Sequence, residues 1–222
     1  SDVHDVLNGG SGFVRGFTGN GNQLFRTNVF TAETVLGPSV TGLPAGISEG
    51  DIVGGINAVF SGVGNPNLFQ IDSVTGVATN VGPLTVGGNN LAQATDNVQI
   101  SYLAGFPSTV GVITGGITGA NAGFNDAVFA IDLATAAVTL LGPLGIDLGP
   151  GPGGFYPDVG FNDATGLTLL LDGSDPSGNL YNINNDSTAT LIGATNVVNW
   201  SGLTRSQNVP TPFSEFSVSD EV

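Results

Sequence analysis

Short apolar, β-prone runs separated by polar or glycine-rich turns recur along this chain, and one such unit occurs four times. The clearest copy is Val128–Leu144, VFAIDLATAAVTLLGPL; the others are Leu24–Val40, Leu68–Leu84 and Leu180–Ala194. Each opens on an aliphatic–aromatic pair: Leu24-Phe25, Leu68-Phe69, Val128-Phe129 and Leu180-Tyr181. Four residues after the first of the pair comes an Asn or Asp (Asn28, Asp72, Asp132, Asn184). A Thr/Ala/Gly turn, a β-branched run and a closing glycine at 37, 82, 142 or 193 follow. Extended residues on both sides of a polar turn, with a Gly-Pro stop in three copies, predict a β-hairpin. One hairpin cannot bury its apolar face alone, so four copies predict stacked or ring-arranged units.

Shorter β-prone runs precede each hairpin. Phe13–Phe17 stands before the first, residues 51–60 before the second, 91–113 before the third and 159–171 before the fourth. Two such strands and a hairpin make a four-stranded sheet. The closing glycines lie 45, 60 and 51 residues apart, the size of a propeller blade. The fold expected is all-β and repeat-built, a β-propeller-like body of four blades. A strand at 197–206 is expected to complete the first blade, which has only one run before its hairpin. A two-sheet β-sandwich or a β-solenoid is the alternative. Residues 1–12 read as an N-terminal arm carrying Val3, Val6 and Leu7, residues 13–206 as one domain, and 207–222 as a Pro-spaced C-terminal tail. The turn-dense stretch 146–157 reads as a loop or seam between halves.

The hairpins at Leu68–Leu84 and Val128–Leu144 resemble the LYxIDxATGAATxVGPL repeat of secreted bacterial propeller-like domains of unknown function. The resemblance covers the four hairpins, about a third of the chain. The first copy departs from it in lacking the Asp and the Thr-Gly turn, and the fourth lacks the Pro. It implies a fold and an extracellular setting, and it carries no catalytic residue across.

Composition narrows the function classes. There is no Lys, and three Arg (Arg15, Arg26, Arg205) stand against a net charge of −15. Neutralising a row of phosphates needs more cations than that, so no nucleic-acid partner is expected. An anionic membrane surface is disfavoured for the same reason. No apolar run approaches the roughly 18 residues of a membrane-spanning helix, so no membrane span is expected. Without cysteine there is neither a disulfide nor a thiolate metal site. Met is absent even at position 1, which leads us to expect a removed signal peptide and a secreted protein.

Candidate chemistry is thin. The single His, His4, sits between acidic residues and reads as a solvated side chain rather than a catalytic base. Glu33, Glu49, Glu215 and Glu221 offer no evident glycosidase pair, and the Asp residues fall mostly in turn contexts. Calcium is the first chemical candidate: Asp172, Asp175 and Asn179 supply oxygen ligands, although an Asp-rich hairpin turn without metal explains them more simply. The sequons Asn185-Asp-Ser and Asn199-Trp-Ser are expected by chance in a chain rich in Asn and Ser. Tyr102, Tyr156, Tyr181 and Trp200 are the aromatic candidates for stacking on a surface glycan. No enzyme activity and no obligate cofactor is expected. The function these features favour is that of a secreted, cell-surface structural subunit that assembles with copies of itself. Phe213, Phe216 and Val218 on the tail would pair with a sheet edge of the next subunit. A glycan-binding or Ca²⁺-dependent adhesin module is the alternative.

Overall fold

In the computed structural model the chain is all-β. The structure describes residues 3–8, 13–18, 23–28, 31–43, 49–53, 57–61, 66–72, 74–91, 98–103, 106–114, 123, 125–148, 158–162, 165–172 and 178–196. Among the described residues there is no α-helix, and the strands form small antiparallel sheets. The first holds β1 (Val3–Asn8), β2 (Phe13–Thr18), β3 (Gln23–Asn28) and β4 (Thr34–Ser39). The second holds β5 (Glu49–Val53), β6 (Asn57–Ser61), β7 (Asn67–Ile71) and β8 (Ala78–Pro83). A short ribbon, β9 (Thr85–Val86) and β10 (Asn89–Asn90), follows. The third sheet comprises β11 (Val98–Leu103), β12 (Phe106–Thr114), β13 (Ala127–Ile131) and β14 (Val138–Pro143). The fourth comprises β15 (Asp158–Asn162), β16 (Leu167–Asp172), β17 (Asn179–Ile183) and β18 (Ala189–Ala194). In each four-stranded sheet the spatial order is the chain order, so every pairing is between consecutive strands.

The repeated hairpins are β3–β4, β7–β8, β13–β14 and β17–β18, the last two strands of each sheet. One expectation changes. Val3, Val6 and Leu7 belong to β1, which pairs with β2 and supplies the fourth strand of the first sheet. That is the place given above to residues 197–206, which lie outside the described residues. Alternation over six residues was masked there by His4 and Asp5, so the segment read as an arm.

The four sheets succeed one another face to face, and the apolar cores lie between them. Phe69 and Ile71 of the second sheet meet Leu24 and Val40 across the first joint. Leu68, Leu84 and Leu91 meet Ile100, Phe129 and Ile131 across the second. Leu103, Val128 and Leu144 meet Val159, Leu170 and Ile183 across the third. The two-residue period of a strand explains the division: Leu68 and Val128 point forward, while Phe69 and Phe129 point back. This is why the opening pair of the second and third repeats is apolar at both positions. A strand covered on both faces loses the simple inside–outside alternation. First strands also touch in succession: β1 meets β5, β5 meets β11 and β11 meets β15. Among the described residues no comparable contact joins β15 back to β1.

A second device repeats at each joint. The residue just past each hairpin (Val40, Leu84, Leu144) is buried, and the backbone around it bonds to the turn of the next hairpin. Thr41 N donates to Gly76 O at 3.0 Å and Thr41 O accepts from Ala78 N at 2.8 Å. Thr85 N donates to Ala136 O at 3.2 Å, and Leu144 O accepts from Ala189 N at 2.8 Å. These latches require a left-handed residue at the receiving turn, and Gly76 (φ 76°), Ala136 (φ 59°) and Ser187 (φ 71°) provide it. Gly76 is the tightest: a Cβ there would run into the Ser39 carbonyl oxygen. Each hairpin also carries a bulge at the same place, with Val81, Leu141 and Ile192 as the extra residues in the last three sheets. An added residue bends and twists the outer strand.

Candidate assembly surface

The repeated Asp72, Asp132 and Asn184 serve their own turns. Asp72 Oδ1 accepts from Val74 N at 2.8 Å and Thr75 N at 3.0 Å, and Asp132 Oδ1 accepts from Ala134 N at 2.8 Å. In the fourth copy the role is shared. Asn184 Nδ2 donates to the hydroxyls of Thr188 (2.9 Å) and Thr190 (2.8 Å), while Asp186 Oδ1 accepts from Thr188 Oγ1 at 2.6 Å. Donors aimed at a carboxylate favour its charged form. Backbone N–H groups of Thr75 and Val74 hold Asp72 below its ordinary value, and that of Ala134 does the same for Asp132. For Asp186 the Thr188 hydroxyl is the main cause.

The calcium candidates are only partly within the described residues. Asp172 is buried at the end of β16 and stands opposite Asn179 in register; Asp175 lies outside the described residues. Asp126, at the entry to β13, receives Leu148 N at 2.9 Å. Burial pushes its carboxyl upward, the Leu148 bond opposes this, and the charges of Asp147 and Asp172 add to the rise. Among the described residues no group of three His, Cys, Asp or Glu is placed to hold a metal ion.

Two aromatic candidates are core side chains in part. Tyr102 meets Phe161 edge-on, centroids 6.3 Å apart and planes at 65°, across the third joint. Tyr181 packs against the apolar cluster between the third and fourth sheets. Tyr156 and Trp200, and the tail residues Phe213, Phe216 and Val218, lie outside the described residues. An open depression beside the fourth hairpin is lined by Gly166, Leu167 and residues 182–186, of which all but Ile183 are polar.

The sequence reading placed the outer strands in its hairpins and missed their apolar exposure. Val35-Leu36, Leu140-Leu141 and Leu191-Ile192 occupy the last strand of the first, third and fourth sheets and are exposed, Leu36 at 60% and Ile192 at 55%. It also missed the exposed turn of the first hairpin. Ala32 is left-handed (φ 55°) like Gly76, Ala136 and Ser187, but those three are buried and Ala32 is exposed. The repeat alignment held the signal, since it identifies these residues as equivalents; their different surroundings only the fold shows.

No protein-family model matches the chain, and no curated protein matches it in sequence. A solved structure shares its fold. A protein of unknown function from Bacteroides thetaiotaomicron superposes with a TM-score of 0.51 at 11% identity, over 86% of this chain and 43% of its own. A quinonprotein alcohol dehydrogenase-like protein of the same organism gives 0.46 at 13% identity, over 92% and 46%. A Trichoderma reesei protein of carbohydrate-active enzyme family AA12 gives 0.45 at 16%, over 88% and 53%. The chain therefore spans about half the length of these structures.

Proposed function

We propose that this chain is a structural subunit of an extracellular assembly, a propeller-like body of four blades whose copies contact one another through their ends. The observation that carries this reading is the set of exposed apolar pairs, Val35-Leu36, Leu140-Leu141 and Leu191-Ile192, on outer strands of a body with few charges. Repeated apolar exposure of this kind marks interaction surfaces. The extracellular setting rests on the resemblance of the hairpins to secreted repeat domains. The tail, with Phe213, Phe216 and Val218 behind Pro210 and Pro212, supplies a second adhesive element. Electron microscopy and light scattering of the purified protein test the reading. Ordered polymers are expected, and deletion of residues 209–222 is expected to weaken them; a wild-type protein that stays monomeric at every concentration refutes it.

A second reading is favoured by the open depression where Asn182, Asn184, Asn185 and Asp186 stand beside Leu167 and Ile183, whose amides, carboxylate and apolar patch suit a glycan. A glycan array probed with and without calcium decides it, and absence of binding in both arms removes this reading.

A further inference from the structure

Three joints of one design connect the four sheets, and among the described residues the two ends of the series hold the two halves of a fourth. At the receiving end stands the turn of the first hairpin. In the second, third and fourth hairpins the left-handed turn residue is buried under the latch of the preceding sheet: Gly76, Ala136 and Ser187. Ala32 holds the same position in the first hairpin and is exposed. Two residues on, Ala78 and Val138 are buried at 7% and 5%, whereas their equivalent Thr34 is exposed. All of residues 31–36 are exposed.

The donating end is the fourth sheet. Leu84 N and Leu144 N each bond back to the residue before their hairpin, at Pro66 O (2.9 Å) and Asp126 O (2.8 Å), which presents the latch to the next sheet. Thr195 N makes the same bond to Gly178 O at 3.1 Å, so the fourth latch is formed. Its next residue, Asn196, is exposed. Leu180 completes the surface. Its equivalents Leu68 and Val128 are fully buried against a following sheet, and Leu180 is half-buried.

We infer that the fourth joint forms between molecules: the segment Ala194–Asn196 and Leu180 of one copy dock on the Ala32 turn and outer strand of the first sheet of another copy. The partner is a second copy because the two surfaces are the two halves of an interface this chain already makes three times within itself. The contact is heterologous, one end against the other, so each added copy presents a fresh end and growth continues unless the rotation closes a ring. This inference rests on the assembling-subunit reading and names the surface that reading left open.

The test uses two full-length variants and measures mass by light scattering after gel filtration. Ala32→Arg puts a long charged side chain on an exposed turn, blocks the receiving end and leaves the fold's core untouched. Leu180→Glu blocks the donating end, with circular dichroism checking its fold. Wild type is expected above the 22.2 kDa of one chain, and each variant alone at 22.2 kDa. An equimolar mixture is expected to give a species of twice that mass and nothing larger, because each complex has one blocked end on either side. If Ala32→Arg assembles as wild type does, the joint is wrong while the subunit reading stands. If wild type itself stays at 22.2 kDa, both fall.

Discussion

At the scale of single residues the carboxylates divide into two kinds with opposite responses to acid. Asp72, Asp132 and Asp186 are exposed and held below their ordinary 3.8 by donors of their own turns. Their bonds add stability above pH 3.8, and that contribution is lost as pH falls through the lowered values. Asp126 is the reverse: burial raises its value above 3.8, so its charge opposes folding once pH rises through the raised value. Asp132→Ala is therefore expected to lower the melting temperature by a few degrees at pH 7 and to matter less at pH 3. Asp126→Asn keeps an oxygen for Leu148 N, suits the left-handed φ of 54°, and is expected to raise the melting temperature at pH 7. Its advantage should shrink as pH drops through the raised value. Thermal melts of both variants between pH 3 and pH 7 check the signs; parallel curves for the two would contradict them.

At the scale of elements, the leucine that ends the Gly-Pro-Leu triplet is the joint residue rather than a turn residue. Leu144 is fully buried between the third and fourth sheets, so Leu144→Ala is expected to cost about 2–5 kcal/mol. Leu191, 54% exposed on β18, is expected to accept Ser within about 0.5 kcal/mol. Denaturant midpoints of the two variants measure the difference, and equal shifts would show that the joint is not where the stability lies. The hairpins themselves were legible in the sequence because turn chemistry and a closing glycine are local. The two-sided burial of the second and third was legible only indirectly, in the doubled apolar opening of their copies. The first strand was not, since Val3–Asn8 interleaves apolar residues with His4, Asp5 and Asn8. Ala32 and Ala136 mark the limit of local pattern. They are the same residue at the same repeat position with the same handedness, and only what the rest of the chain lays over one of them separates the two.

At the scale of the whole molecule, each described core involves only adjacent sheets: first with second, second with third, third with fourth. Stability in such a series is a sum over units and nearest-neighbour interfaces rather than a property of one shared centre. Among the described residues the two inner sheets are held from both sides and the two outer ones from one. Unfolding is thus expected to begin by fraying at the ends, with amide exchange in β13 slower than in β3 or β17. Exchange measured by mass spectrometry at the level of peptides checks this order, and uniform protection across all four sheets would contradict it. The latch has the corresponding consequence for change over longer times: because every described joint asks only for a turn and a closing segment of the same design, a sheet gained or lost by duplication or deletion leaves the remaining joints of the same kind.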